Sequence, residues 1–273
     1  MSVNAGSSLP AGRPCSADGY LLPDHWIVHE SQPYHSAERL YRFMSEAYVA
    51  RVVDLLIESG ARRVLEAGCG DGWNCGRLVK ANLETVGVDC NANAIDHAAR
   101  LVPAGRFICG DITNPQLLEQ LSPPFDAAIL IEVIEHIPPD KCAQALQNLR
   151  DCLKTGGSLV VTTPSTNIDK CDPTHYRHFS EQLLRETIEE TGTMRVKWIE
   201  GYGNALFERW YYRLARFFDN RFYLIKPIRS WLQRYYRKHA TQSPLGRCHG
   251  LLAVVEASEY NLMAGLCGEK TSV

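Results

Sequence analysis

No two cysteines in this chain stand in a C-x-x-C pair. Ten are present, at 15, 69, 75, 90, 109, 142, 152, 171, 248 and 267, and their scatter argues against a zinc ribbon or a thioredoxin-type redox motif. No run of about 18 apolar residues occurs, so no membrane-spanning helix is expected. No basic segment followed by an apolar run opens the sequence, so no secretory leader is expected, and the thiols are expected to be reduced in a cytoplasmic protein. No G-K-[ST] follows a glycine-rich turn, which removes the phosphate-cradling loop of nucleoside triphosphatases. Charge of one sign is also lacking overall. The formal net charge is −2, which argues against a wholly basic nucleic-acid-binding domain.

The 273 residues carry 45% hydrophobic and 22% charged side chains, ordinary values for a globular domain with a sizeable core. Residues 1–19 are rich in Ser, Gly, Ala, Pro and Asn and read as a disordered lead-in. Residues 20–273 read as one domain. Apolar and aromatic side chains recur at helical spacing from Ser36 to Ser59, and Gly60 is placed to end that helix. Strands follow at 62–67, 85–89, 107–109, 125–131, 158–163, 194–200 and 251–256. Helices are expected at 73–80, 91–101 with Asn91 as N-cap, 140–153 with Gly156-Gly157 as a stop, and 180–190 with Ser180 as cap. Strands alternating with helices give a doubly wound α/β sheet. The strand at 125–131 has almost no polar alternation and belongs in the middle of a sheet covered on both faces.

The chain is organised around Val64-Leu65-Glu66-Ala67-Gly68-Cys69-Gly70-Asp71-Gly72. A buried strand runs into a glycine turn where the backbone can approach a ligand closely. By itself the turn is also the mark of any tight strand-to-helix connection. Carboxylates at the ends of the first three strands make it more. Asp89 lies 21 residues after Gly68, where an acid can accept both ribose hydroxyls; Asp111 can accept an adenine amino group, and Glu66 can meet an ammonium. Trp73 stands where a dinucleotide fingerprint needs its last glycine. A sulfonium cofactor with an amino-acid tail suits this set better than a dinucleotide.

The successive motifs V-L-E-A-G-C-G-D-G, V-G-V-D, G-D-I and F-D-A-A-I-L-I-E-V-I-E-H-I resemble those of class I S-adenosylmethionine-dependent methyltransferases, in order and spacing, from about Val64 to Thr163. The resemblance implies a mostly parallel, seven-stranded, Rossmann-like sheet whose last strand, 251–256, is antiparallel. It implies that Gly68, Gly70 and Gly72, with Cys69 between them, approach the methionine moiety. Asp89 would hold the ribose, and Asp111 with Ile112 would bracket the adenine, with Glu66, Cys90 and Glu132 as further cofactor contacts.

A second constellation follows the fourth strand: Glu132-Val133-Ile134-Glu135-His136, and later Asp172-Pro173-Thr174-His175-Tyr176-Arg177-His178-Phe179-Ser180. Both segments belong at the carboxyl ends of neighbouring strands, facing the transferred methyl. Two carboxylates and two imidazoles there can bind a divalent cation such as Mg or Mn, which would lower the pKa of an acceptor hydroxyl. Without a metal, His136 or His175 is a candidate general base. The pattern resembles two branches of the family. One is the ubiquinone-biosynthesis O-methyltransferases and their relatives. The other is the small-RNA 2′-O-methyltransferases, whose E-x-x-E-H and later histidine are metal ligands; the matching positions are Glu132, Glu135, His136 and His175. The plainer alternatives are that Glu132 only touches cofactor and that the histidines only fix their loops.

Residues 202–247 form an insertion between the last two strands. Within 207–239 lie eleven of the chain's 25 aromatics and nine Lys/Arg against two acids, a local charge of +7 that leaves −9 elsewhere. Three readings fit: a helical lid over the acceptor pocket, an interfacial contact with an anionic membrane, and a stacking surface for RNA or DNA. The acceptor is expected to be a hydroxyl on a small or lipid-linked metabolite, such as a quinone precursor, a glycan or a natural product. RNA 2′-O-methylation is the alternative acceptor chemistry, and a non-catalytic cofactor-binding subunit is the alternative class. The Asn-Pro-Pro-aromatic motif of base N-methyltransferases is absent after strand four.

Overall fold

A computed structural model describes residues 36–170, 172–204 and 242–257. The expected lead-in at 1–19 and the aromatic, basic stretch at 207–239 lie outside the described residues. The elements are α1 (Ser36–Glu58), β1 (Arg63–Ala67), α2 (Trp73–Lys80), β2 (Glu84–Asp89), α3 (Ala92–Leu101), β3 (Arg106–Cys109), α4 (Leu118–Leu121), β4 (Phe125–Ile131), α5 (Cys142–Cys152), β5 (Leu153–Pro164), α6 (Glu181–Glu189), β6 (Met194–Tyr202) and β7 (Gly250–Ala257).

The seven strands form one sheet in the order β3-β2-β1-β4-β5-β7-β6. Strands β1 to β5 are parallel, and β7 runs antiparallel between β5 and β6. Crossovers through α2 and α3 carry β1 to β2 and β2 to β3 in one direction across the sheet. The chain then returns to the other side of β1 to lay down β4, so the strand order reverses between β1 and β4. A crevice at the carboxyl ends of these two strands is where open α/β sheets bind ligands.

The most apolar strand is also the most central. Phe125, Ala127, Ala128, Ile129 and Leu130 are fully buried, Val64 and Leu65 flank them in β1, and Leu159 and Val161 in β5. Asp126 interrupts this run because it ties strand starts together. Its carboxylate accepts the Arg62 and Arg63 N–H groups at 2.8 Å each and pairs with Lys154 at 2.7 Å. The Lys154 contact foremost holds its carboxyl down at about 2.

Helix α1 ends as the sequence predicts. Gly60 (φ 74°) donates to Ile57 O and Ala61 N–H to Leu56 O, a Schellman closure. Tyr48, Val49, Val52 and Leu56 bury the helix against β1, β4 and β5 side chains. Asn91 caps α3 through Asn93 N–H and Ala94 N–H, and Ser180 caps α6 through Leu183 N–H.

Two boundaries differ from the sequence reading. Pro139–Lys141 forms a 3-10 turn before α5, since two prolines at 138 and 139 set the entry into the helix. Gly156-Gly157 does not end an element but sits within β5, where Leu153 pairs with Phe125 and a bulge precedes the Ser158–Ala127 pair. Among the described residues no helix is long and apolar enough to cross a membrane.

Candidate active site

The glycine turn leaves the end of β1 with its backbone tied to β2. Gly68 and Cys69 N–H groups both donate to Val88 O, at 2.7 and 2.9 Å. Asp89 ends β2 and holds the turn from the other side: one oxygen accepts Gly70 N–H and the other Asn91 N–H, both at 2.9 Å. Gly68, Gly70 and Gly72 all have positive φ, so the turn is built from conformations that ordinary side chains resist. Asp111 is exposed after β3, with Thr113 N–H on its carboxylate at 2.8 Å. Ile112 packs against the core, and Asn148 donates to its carbonyl at 2.8 Å.

Glu66 sits beneath the turn rather than in front of it. It is 1% exposed, and its oxygens accept from Asn74 Nδ2 at 3.0 Å and Cys75 Sγ at 2.9 Å. Burial, more than its hydrogen bonds can offset, pushes its carboxyl up to about 7. The neutral form is thus favoured in the folded protein. Its stabilisation is complete below the ordinary value of 4.5 and is lost as pH rises through about 7. Melting curves of the wild type should therefore fall relative to Glu66→Gln between pH 5 and 8, by on the order of 3 kcal/mol. Parallel curves would refute the buried, neutral carboxyl.

Cys69 and Cys75 are buried free thiols beside Glu66, and Cys109, Cys142, Cys152 and Cys248 are also free. Cys90 is disulfide-bonded, which corrects the expectation of uniformly reduced thiols.

Asp89 keeps acceptor capacity for the expected ribose contact beyond its two loop bonds, because a carboxylate has more acceptor sites than two N–H groups use. Charge-assisted hydrogen bonds contribute about 1.5–3 kcal/mol each. Asp89→Ala should therefore weaken cofactor affinity at least about tenfold by calorimetry. Unchanged affinity would exclude the ribose role.

Beyond β4 the backbone makes an unusual turn. Glu132 has φ 55°, a left-handed conformation rare for such a residue, and its N–H donates to the carbonyl and hydroxyl of Thr162. The Tyr202 hydroxyl donates a short hydrogen bond to its carboxylate, and the Tyr202 ring packs on Tyr48 at 4.4 Å. Glu132 is thereby held toward β6.

Glu135 turns inward. It is fully buried, Thr163 donates to its Oε2 at 3.0 Å, and its Oε1 has no hydrogen-bond partner. Burial first, and the nearby Glu132 charge second, push its carboxyl up to about 9. His136 and His175 meet edge to face, with ring centres 4.5 Å apart. Burial lowers the pKa of both imidazoles, with the charge of Asp172 opposing it.

Glu135, His136 and His175 can each offer one ligand atom such that all lie within 4.8 Å of one another. Three of the four positions expected around a cation thus come together, and Glu132 stands outside this group on Tyr202. The orphaned Glu135 Oε1 beside two neutral imidazoles is a donor set that fits a divalent cation. Val133 links the two constellations, since its side chain lies against Gly68.

Sequence reasoning did not assign Tyr202, Thr163 or Val133 to the site. Tyr202 and Thr163 come from strand ends far away in sequence, and no local pattern marks them. A methyltransferase-domain family model matches residues 35–235. The tRNA N(3)-methylcytidine methyltransferase trm140 of Schizosaccharomyces pombe is 26% identical over 268 residues, covering 84% of this chain and 83% of that protein. A ubiquinone biosynthesis O-methyltransferase of Alkalilimnicola ehrlichii is 28% identical over 39% of this chain, which spans only 43% of that protein. A crystal structure of a SAM-dependent methyltransferase from Archaeoglobus fulgidus superposes with a TM-score of 0.52 at 18% identity, over 79% of this chain and 99% of that one. At that identity the likeness concerns the fold. The family match over most of the chain agrees with the strand order, the glycine turn and the Asp89 carboxylate, and the chain belongs to the methyltransferase-domain family as a class I S-adenosylmethionine-dependent methyltransferase.

Proposed function

We propose that this chain transfers a methyl group to a hydroxyl oxygen of a small or lipid-linked metabolite. The observation that carries the reading is the Glu135, His136 and His175 cluster, which begins two residues after Val133, whose side chain lies against Gly68 of the glycine turn. Bound S-adenosylmethionine supplies a methyl group on a positively charged sulfur, already activated toward nucleophiles. The turn at 68–72, Asp89 and Asp111 would bind and orient it.

What the protein must add is an acceptor oxygen stripped of its proton. A neutral imidazole at His136 or His175 can take that proton as the bond forms. A divalent cation such as Mg or Mn, held by Glu135, His136 and His175, would serve the same end by lowering the hydroxyl pKa. Nitrogen acceptors, by contrast, often bring their own lone pair and need no base of this kind.

A second reading is methylation of RNA. It is favoured by the 26% identity to the tRNA N(3)-methylcytidine methyltransferase over most of both chains.

Labelled S-adenosylmethionine, offered with total RNA in one arm and with metabolite and lipid extracts in the other, separates the two. Label in base-resistant methyl ethers of the extracts supports the first reading. Label confined to RNA nucleosides overturns it. No S-adenosylhomocysteine with either pool would point to the cofactor-binding subunit instead.

A further inference from the structure

The connection between β5 and α6 is closed at its two ends like a loop on a clasp. Phe179 is fully buried, its N–H donates to Pro164 O, and its carbonyl accepts Thr166 N–H. This brings Ile168 next to His178, and the 172–178 segment beside His136. Two short hydrogen-bond chains result.

In the first, Asp172 Oδ1 accepts from the Thr174 hydroxyl at 2.6 Å and from Thr174 N–H at 2.8 Å. A hydroxyl has one proton. Having given it to the carboxylate, Thr174 Oγ1 can only accept from His136 Nδ1, 3.1 Å away.

In the second, the Ile168 carbonyl lies 3.2 Å from His178 Nδ1. A carbonyl can only accept, so the proton of a neutral His178 sits on Nδ1. His178 Nε2 is then an acceptor, and His175 Nδ1 at 3.0 Å must donate to it. Asp172 Oδ2 does not compete, since it stands 3.7 Å from His175 Nε2, beyond hydrogen-bond distance.

We propose that Thr174, backed by Asp172, and His178 are positioning residues that hold His136 and His175 in the Nδ1–H tautomer. Both Nε2 lone pairs are thereby left free for the acceptor proton or for a cation. The second of two imidazole nitrogens is commonly fixed in this way, and losing such a partner typically costs about 10–100-fold in activity or metal affinity. The usefulness of the free Nε2 atoms rests on the site reading above; the tautomers themselves do not.

The test is a two-bond proton–nitrogen correlation spectrum of the histidine-labelled, full-length protein at pH 8, without metal, cofactor or acceptor. His136 and His175 should both show the Nδ1–H pattern. Thr174→Val should move His136 alone toward the Nε2–H form that an unconstrained imidazole prefers, and His178→Phe should move His175 alone. Thr174→Ser and His178→Gln each restore an acceptor and should keep the wild-type pattern. A role in loop folding alone would not switch one histidine and spare the other. An Nε2–H pattern for either histidine in the wild type overturns the proposal, as does an unmoved tautomer in Thr174→Val or His178→Phe. Should a disruptive variant fail to fold, the wild-type spectrum and the conservative pair still decide. Failure to find an acceptor would leave these spectra unchanged, so the two readings fail separately.

Discussion

Gly68→Ala should lose measurable cofactor binding and melt well below the wild type. Two independent penalties meet at this position. The backbone has φ 75°, where an added Cβ costs roughly 1–2 kcal/mol. That Cβ would also stand 2.4 Å from Val133 Cγ2 and 2.9 Å from Val133 Cγ1, closer than real atoms approach. Relief requires Val133 to move, and Val133 lies between Glu132 and Glu135. The substitution therefore reaches both the cofactor turn and the acceptor side. Calorimetry should show a loss above about 100-fold, since three or more kcal/mol are at stake across dihedral and overlap. The double variant Gly68→Ala with Val133→Ala removes the overlap but not the dihedral strain, so it should recover part of the melting temperature and only part of the affinity. Wild-type affinity in Gly68→Ala would mean that the turn does not approach the cofactor.

The sheet was legible because each of its strands carries its own local signal. The mostly apolar run at 125–131 belonged in the centre, and the glycine turn after Ala67, read together with Asp89 and Asp111, marked a strand that meets a ligand crevice. Caps at Asn91 and Ser180 were legible for the same reason, since the capping side chain and the helix it serves are adjacent. The acceptor side was readable in composition but not in direction. E-x-x-E-H names two carboxylates, yet whether they point together depends on the left-handed backbone at Glu132 and on Tyr202, seventy residues away. Spacing alone treats Glu132 and Glu135 alike. The structure separates them, one held by a phenol toward β6 and one buried with an unpartnered oxygen. The Thr174 and His178 contacts were hidden for a similar reason: they arise from the closure of the 165–179 loop, which no periodicity announces.

His136→Ala should lower turnover by about 100-fold or more while leaving the cofactor dissociation constant within about threefold. The asymmetry follows from placement, since His136 contacts Thr174 and His175 on the acceptor side. A chelator decides how the residue acts. If Glu135, His136 and His175 hold a cation, chelation should match the mutation, and Mn²⁺ should restore the wild type but not the variant. Cation binding must then also release a proton, because Glu135 is protonated at neutral pH without one. The calorimetric heat of Mn²⁺ binding should accordingly vary with buffer ionisation enthalpy. If His136 works as the base itself, chelation leaves turnover intact. Burial lowers its pKa below 6.5, so the neutral form persists and turnover should fall only as pH drops beneath that lowered value. Full turnover by His136→Ala would remove the residue from the reaction under either mechanism. It would leave His175 as the remaining imidazole able to receive the acceptor proton.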